Sequence, residues 1–371
     1  MNPLLKIPFY AQIALISIGA FAFVYTLYIG QEIIVPLIYA TIIAILLNPV
    51  VNFLVQKKVN KIVAIALAVL LVILITALFI YFVSVQLTLF SETYPKLRDK
   101  FDEISVQLIQ WFSHTFNIRI SKINAWIADT RNNAIKNMGG TIGQTLATIN
   151  GILLIIVLLP VYLFMILFYK PLLLEFIRKL FRKEHHEMVF EVLFSSKKLI
   201  QSYLVGLLVE GAIVAILNST GLLILGIDYA IILGITGALL NVIPYIGGII
   251  AIALPMIIAF VTKDSGTSAL LVLGVYLLIQ FIDNHYLIPR IVASRVKLNA
   301  LISIIVVLIF AALWGIPGMF LSIPLTAIVK VIFDHIEPLK PWGFLLGNIV
   351  PTASKLRFDF IRRKKKPKET E

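Results

Sequence analysis

Stretch after stretch of this chain is apolar for about the length a helix needs to cross a hydrocarbon core, roughly 20 residues for about 30 Å. Such stretches occupy residues 10–29, 33–55, 62–83, 149–168 and 203–225. Lipid offers backbone groups no hydrogen bonds, so only helices and closed barrels can span it, and unbroken apolar runs of this length belong to helices. Hydrophobic residues make up 60% of the 371 positions and charged residues 14%, well under the roughly 25% charged residues of soluble domains. The expected fold class is therefore all-α, a polytopic helical membrane protein. No small-residue cleavage site follows the first run, which reads as a retained span rather than a signal peptide. The chain has no cysteine, which excludes disulfides, thiol catalysis and cysteine-ligated metals.

Two further apolar stretches, 229–261 and 300–333, are each broken near the middle by proline and glycine. The first breaks at Asn241-Val242-Ile243-Pro244-Tyr245-Ile246-Gly247-Gly248, the second at Trp314-Gly315-Ile316-Pro317-Gly318. Irregular backbone survives at membrane depth only where protein or a water-filled cavity satisfies it. Paired broken segments are the usual pointer to a transport site. As single spans they would each be about 50 Å long, too long for the core without steep tilt. As re-entrant hairpins, each arm of roughly 15 residues reaches about 22 Å, and the two tips could meet near mid-membrane. Ala238-Leu239-Leu240-Asn241-Val242-Ile243-Pro244 weakly resembles Ala311-Ala312-Leu313-Trp314-Gly315-Ile316-Pro317. An inverted pair and a chance likeness between apolar segments both account for that.

Charge sets the orientation. Lysine and arginine concentrate at Lys57, Lys58 and Lys61, in a connector from Lys170 to Lys198, around Arg290, Arg295 and Lys297, and in a tail from Lys355 to Lys368. The positive-inside rule puts all four in the cytoplasm, and both termini with them. Only the hairpin scheme satisfies every cluster, with 268–288 crossing inward between the two hairpins. It gives about eight membrane segments, and it is preferred over eight full spans. The net charge of +13 is met by a tail resting on anionic headgroups rather than by nucleic acid. The chain then divides into three spans over 1–83, an extracytoplasmic helical insertion over 84–148, a fourth span and basic connector over 149–202, a transport core over 203–336, and a basic tail over 337–371.

The insertion carries Leu87, Phe90, Tyr94, Leu97, Phe101, Ile104, Leu108 and Trp111 at alternating three- and four-residue spacing, a heptad seam. Pro95 should restart the helix behind Thr93. A second helix should begin at Ser121, show Ile123, Ile127, Ala134 and Met138 on one face, and stop at Gly139-Gly140. Packing within one subunit and contact between subunits are both open.

Polar groups inside spans are functional candidates, because a central charge costs roughly 2.5–3.5 kcal/mol on insertion scales. Glu210 is the only carboxylate in its span; it could bind a proton or cation, or stay neutral and bond a neighbouring helix. Gln280 shares a helix face with Asp283 and with Asn284. That face could line an aqueous path, or Asp283 could pair with Arg290 or Arg295. Asn241, Pro244, Tyr245, Gly247 and Gly248 offer an amide, a hydroxyl and open backbone at one tip, with Pro317 and Gly318 at the other. Asp228 and Asn299 are expected to cap hairpin arms. Neither a G-x-x-x-x-G-K-[ST] loop nor an H-E-x-x-H or G-x-S-x-G motif is present, so no nucleotide motor and no hydrolytic or zinc chemistry is expected. The five histidines are scattered apart from the His185-His186 pair, whose side chains do not share a helix face. The chain is expected to be no enzyme and to need no cofactor or metal.

Glu32-Ile33-Ile34-Val35-Pro36, Leu47-Asn48-Pro49, Tyr203-Leu204-Val205-Gly206 with Glu210, Leu225-Gly226-Ile227, Asn241-Val242-Ile243-Pro244-Tyr245-Ile246-Gly247, Gln280-Phe281-Ile282-Asp283-Asn284, Pro289 and Gly315-Ile316-Pro317-Gly318 together resemble the autoinducer-2 exporter family of bacterial inner-membrane proteins. Their order and spacing hold from the second span to about residue 333, and the insertion is the variable part. Gly248 and Asn299 stand where many members have proline. The resemblance implies a secondary transporter with about eight membrane segments, assembled as a homopentamer and working by an elevator-like motion. It also implies export of autoinducer-2 in quorum sensing or, in other members, sodium/proton antiport.

The reading is a transporter exporting a small polar solute across the inner membrane, coupled to protons or sodium, with its site between the hairpin tips. Asn241, Tyr245 and Gly247 would contact solute or ion, and Glu210 and Asp283 would couple. The alternatives are a sodium/proton antiporter of the same fold, a passive channel, and a membrane scaffold or regulator acting through the external helices and basic tail. The sequence does not name the solute.

Overall fold

The computed structural model describes residues 8–116, 141–243, 246–263, 266–293 and 296–348, with the backbone alone over 141–156 and at most positions between 86 and 116. The described residues form ten α-helices: α1 Phe9–Ile29, α2 Gln31–Gln56, α3 Lys61–Phe116, α4 Thr141–Leu180, α5 His186–Ile224, α6 Ala230–Asn241, α7 Ile246–Lys263, α8 Gly266–Ile282, α9 Ala300–His335 and α10 Lys340–Leu346. An 11-residue π-helical segment, Asp283–Ala293, continues α8. Seven of the helical stretches are long and apolar enough to cross a membrane, and α6 and α7 are shorter apolar helices. The chain is thus a polytopic helical membrane protein. Helix α1 buries none of its residues within the chain, although nearly all of them are apolar, so its surroundings are lipid or protein rather than water.

Three apolar clusters hold the bundle together. Ala40 and Ala44 on α2 face Ala64 and Ala68 on α3, with Leu163 and Leu167 of α4 closing the group. Small residues four apart on facing helices let backbones approach, which is how helices pack where lipid removes the hydrophobic drive. A second cluster joins Val35 and Ile42 of α2, Ile200, Tyr203 and Leu204 of α5, and Trp314 and Leu321 of α9. A third joins Leu222 of α5 to Leu233 of α6, Ile258 of α7 and Val272 of α8. Helix α5 is the shared spine: its first half packs in one cluster and its last turns in another.

Both broken stretches fold back on themselves. In a straight helix, residues seven or eight apart are separated by about 10–12 Å. Yet a Cβ at Gly247 would stand 1.8 Å from the Leu240 carbonyl oxygen, and one at Gly318 would stand 2.0 Å from that of Phe310. Only glycine allows either approach. The second reversal turns at Gly315, whose φ of 64° and ψ of −145° lie outside the helical region. Its two ends meet: the Asn299 side chain donates to the Leu345 and Gly347 carbonyls at 2.7 and 3.1 Å. A 36-residue rod would be about 54 Å long and could not close that gap through so short a connection.

The hairpins open toward opposite ends of α5. The first leaves α5 at the Ile224–Ala230 turn, and Ala230 packs with Ala259 near the far end of α7. The second ends at His335, whose Nε2 lies 3.8 Å from Glu191 Oε1 near the start of α5. The lysines of two connectors share that starting end. Lys61 Nζ donates to the Phe168 carbonyl at 3.2 Å, and Lys170 Nζ donates to Asn48 Oδ1 at 2.7 Å.

Several local expectations are revised. Helix α3 runs through Pro95 without a restart; the proline is exposed, so solvent can satisfy the carbonyl that loses its donor. Asn299 caps α9, accepting from the Ile302 N–H at 2.8 Å. Asp228 does not cap α6: the capping position is Tyr229, in the left-handed region at φ 60°, with no side-chain bond. The heptad side chains from Leu87 to Trp111, the helix proposed from Ser121 to Met138, and the basic tail from Lys355 to Lys368 lie outside the described residues.

Candidate functional site

Glu210 lies midway along α5, between the two clusters that grip it, and only 4% of it is exposed. Asn241 is the last residue of α6, at the tip of the first hairpin. Asp283 is the first residue of the π segment, 1% exposed. Three elements far apart in sequence thus deliver three polar side chains to one point. Asn241 Nδ2 donates to Asp283 Oδ2 at 2.9 Å and reaches Glu210 Oε1 at 3.5 Å. One amide nitrogen thus faces both carboxyl groups.

Local sequence explains the approach. Gly206 stands one turn before Glu210, and a Cβ there would lie 2.7 Å from the Ile291 carbonyl oxygen. The missing side chain lets the π segment come against α5. The wider π turn is a feature that clusters at functional sites; here it begins at the residue that meets Asn241.

The expected site residues fall into groups. Glu210, Asn241 and Asp283 come together as described. Gln280 is adjacent: its Oε1 and Asn241 Oδ1 each lie 3.5 Å from where a Gly248 Cβ would stand. Gly248 therefore brings the first turn of α7 against two amide oxygens, and Gly247 is required by the reversal itself. Asn284 is exposed and does not share the buried face of Asp283. The partner that Asp283 finds is Asn241, while the Arg290 guanidinium lies 6.0 Å from the centre of the Tyr286 ring. Pro244, Tyr245 and Arg295 lie outside the described residues. At the second tip, the Pro317 carbonyl accepts from Tyr39 Oη at 2.9 Å and Trp314 Nε1 donates to the Leu27 carbonyl at 3.0 Å. These bonds tie Trp314 and Pro317 to α1 and α2, not to the acidic pair, and Gly318 packs against Phe310 and Trp314 of its own hairpin.

Two buried polar residues escaped the sequence reading. Asn218 and Tyr276 are each 3% exposed. Asn218 lies eight residues beyond Glu210 and Tyr276 seven before Asp283, spacings that keep a helical face. Tracing the face of each carboxylate along its helix would have found both.

Burying two carboxyls side by side is unfavourable unless positive charge or hydrogen bonds offset it. Asn241 supplies donors to one oxygen of each, and Asp283 Oδ1 is buried with no protein partner. A proton shared by the pair, or a small cation held by carboxyl and amide oxygens, would complete the site. Among the described residues, no group of three or more histidine, aspartate or glutamate side chains assembles, so the donor set suits a monovalent ion better than a transition metal.

The sequence matches the family described as "AI-2E family transporter" over residues 16–337. "AI-2 transport protein TqsA" of Escherichia coli (strain K12) is 28% identical over 320 residues, covering 86% of this chain and 91% of that protein. "Putative transport protein YueF" of Bacillus subtilis (strain 168) is 28% identical over 233 residues, and the matched stretch spans 63% of its length. "Putative permease PerM" of Escherichia coli (strain K12) is 26% identical over 210 residues, 59% of its length. With the match running from the first helix into the turn after α9, this chain belongs to the AI-2E transporter family of multi-pass membrane proteins.

Proposed function

We propose that this chain is a secondary transporter that exports a small polar solute across the bacterial inner membrane, with autoinducer-2 as one candidate. Glu210, Asn241 and Asp283 form the site where a proton or sodium ion couples to solute movement. One observation carries this reading: two buried carboxyls share one neutral amide at the tip of a reversing helix. An ion that neutralises the pair also changes what holds the tip, so charge and conformation are linked there. Gly247, Gly248 and Gln280 surround the tip and are the groups a solute would meet next. Tyr245 and Pro244 belong to the same turn by sequence. The hairpin with Pro317 and Gly318, opening from the opposite end of α5, supplies the second gate. The oligomeric, elevator-like working of the family and cytoplasmic termini are part of the same proposal.

The acidic pair also favours a second reading, sodium/proton antiport, in which the ions are themselves the cargo. One experiment separates the two. Purified protein in proteoliposomes is loaded with candidate polar solutes, autoinducer-2 included, and given a proton or sodium gradient. Gradient-dependent release of a solute supports the exporter. Sodium moving against protons with no solute present supports the antiporter. Solute release that ignores both gradients would overturn the coupling role.

A further inference from the structure

Pro49 has no N–H to give the Ile45 carbonyl one turn back along α2. Gln201 of α5 supplies the bond instead, its Nε2 donating at 2.7 Å. That bond fixes the register of two helices running in opposite directions. Lys197 lies one turn nearer the start of α5, on the Gln201 face, and Asn48 lies about 4.5 Å along α2 toward the same end. Asn48 is buried, and its Oδ1 accepts from Lys170 Nζ of α4 at 2.7 Å. Lys61 opens α3. Its Nζ sits 5.5 Å from the centre of the Phe168 ring and donates to the Phe168 carbonyl at 3.2 Å, two residues before Lys170. Burial and the like charges of Lys197 and Lys61 act against the positive charge of Lys170. Among the described residues, no ion pair reaches any of these three lysines. Lys61 and Lys170 bond only neutral oxygens, and an ammonium carries three donors, so each has donors to spare. Three positive charges gathered from three helices without a carboxylate call for an anion.

We propose that Lys61, Lys170 and Lys197 hold the phosphate of an anionic phospholipid at the end of the bundle where α5 begins. Ammonium groups give a phosphate oxygen short, charge-assisted bonds, and the buried Asn48 amide keeps one of them in place. The surface beside the lysines selects a lipid over a free anion. Ile62 follows Lys61, Tyr169 and Leu172 flank Lys170, and all three are exposed. Acyl chains cover such a surface while the headgroup meets the lysines. Anionic lipids enrich the cytoplasmic leaflet, the side on which the positive-inside rule puts these connectors. The site also joins two units of the fold. Lys61 and Lys170 belong to the helices packed through Ala44, Ala64 and Leu167, whereas Lys197 belongs to α5. A lipid held by all three braces the helix that carries Glu210. Lys197 is about 20 Å from Glu210 along α5, so the lipid site is separate from the acidic pair and does not depend on its coupling role.

Native mass spectrometry of the full chain, released from neutral detergent, tests it by titration with phosphatidylglycerol, phosphatidylcholine or inorganic phosphate. A lysine beside an anionic headgroup is worth roughly fivefold in affinity, so phosphatidylglycerol should bind more than about tenfold tighter than phosphatidylcholine. Replacing Lys61, Lys170 and Lys197 together by glutamine should abolish that preference. Replacing Lys57, Lys58 and Lys198, exposed lysines of the same connectors, removes the same charge and should preserve it. Lys197→Gln alone leaves the Lys61 and Lys170 bonds in place and should weaken phosphatidylglycerol by about fivefold, which keeps the test open if the triple variant misfolds. Equal affinity for the two lipids overturns the proposal. So does an equal loss in both triple variants, which would be attraction to surface charge alone. Inorganic phosphate that binds at these lysines without any preference between lipids would assign them to a free anion. A change in subunit number with no change in lipid count would assign them to a neighbouring copy, and either result refutes the lipid site.

Discussion

Asn241→Leu isolates the contact that joins the first hairpin tip to the acidic pair. Leucine is close to asparagine in volume, so little cavity or overpacking accompanies the change. What disappears is the 2.9 Å bond to Asp283 Oδ2 and the 3.5 Å approach to Glu210 Oε1. The second is at the outer limit of a hydrogen bond and adds little. A bond to a charged group contributes about 1.5–3 kcal/mol, and each 1.4 kcal/mol or so is a tenfold change in an equilibrium constant. The tip should therefore open roughly ten- to a hundredfold more often. Hydrogen–deuterium exchange in nanodiscs reads this directly: amides over 238–248 should exchange faster by about that factor, while those of α5 around Tyr203 stay as they were. Unchanged exchange at the tip would show that the amide does not hold it. Equal acceleration in α5 and α8 would show that the substitution loosened the whole bundle instead.

Neighbouring glycines should behave differently. Gly247→Ala forces a methyl to within 1.8 Å of the Leu240 oxygen, whereas the nearest atoms to a Gly248 methyl are 3.5 Å away. Gly247→Ala should destabilise the protein by about 1–3 kcal/mol and lower its melting temperature in detergent, with Gly248→Ala nearly neutral in the same melt. Asn299→Ala removes the cap of α9 and the two bonds to Leu345 in α10 and Gly347 just after it. It should lose about 1–2 kcal/mol, seen as faster exchange over 340–347.

How much of this could be read from residues alone varies with the distance over which the information acts. The spans are legible because lipid demands long apolar helices, a local requirement. The reversals at Gly247 and Gly318 are legible because two breakers in an apolar run leave few alternatives, and the positions of lysine and arginine favoured hairpins over rods. Glu210, Asn241 and Asp283 each stand out as polar groups at membrane depth, but nothing in their spacing of 31 and 42 residues says that they meet. That depends on the hairpin folding back onto α5 and on the π turn at Asp283, which no pattern of apolar residues announces. Asp228 looked like a helix cap because aspartate favours that role, yet the backbone turns through Tyr229 in the left-handed region and α6 starts one residue later. Pro95 looked like a helix boundary, but an exposed carbonyl is cheap to leave to solvent, and α3 continues. Asn218 and Tyr276 were legible in principle as the continuation of the carboxylate faces.

In the proposed function, the buried carboxyl pair ties ion movement to solute movement. Its most direct test compares two fluxes in proteoliposomes containing Glu210→Gln or Asp283→Asn: solute release driven by a proton or sodium gradient, and solute exchange at equal concentrations with no gradient. Gradient-driven release should be lost in both variants while exchange persists. Release that still follows the ion gradient in either variant would contradict it.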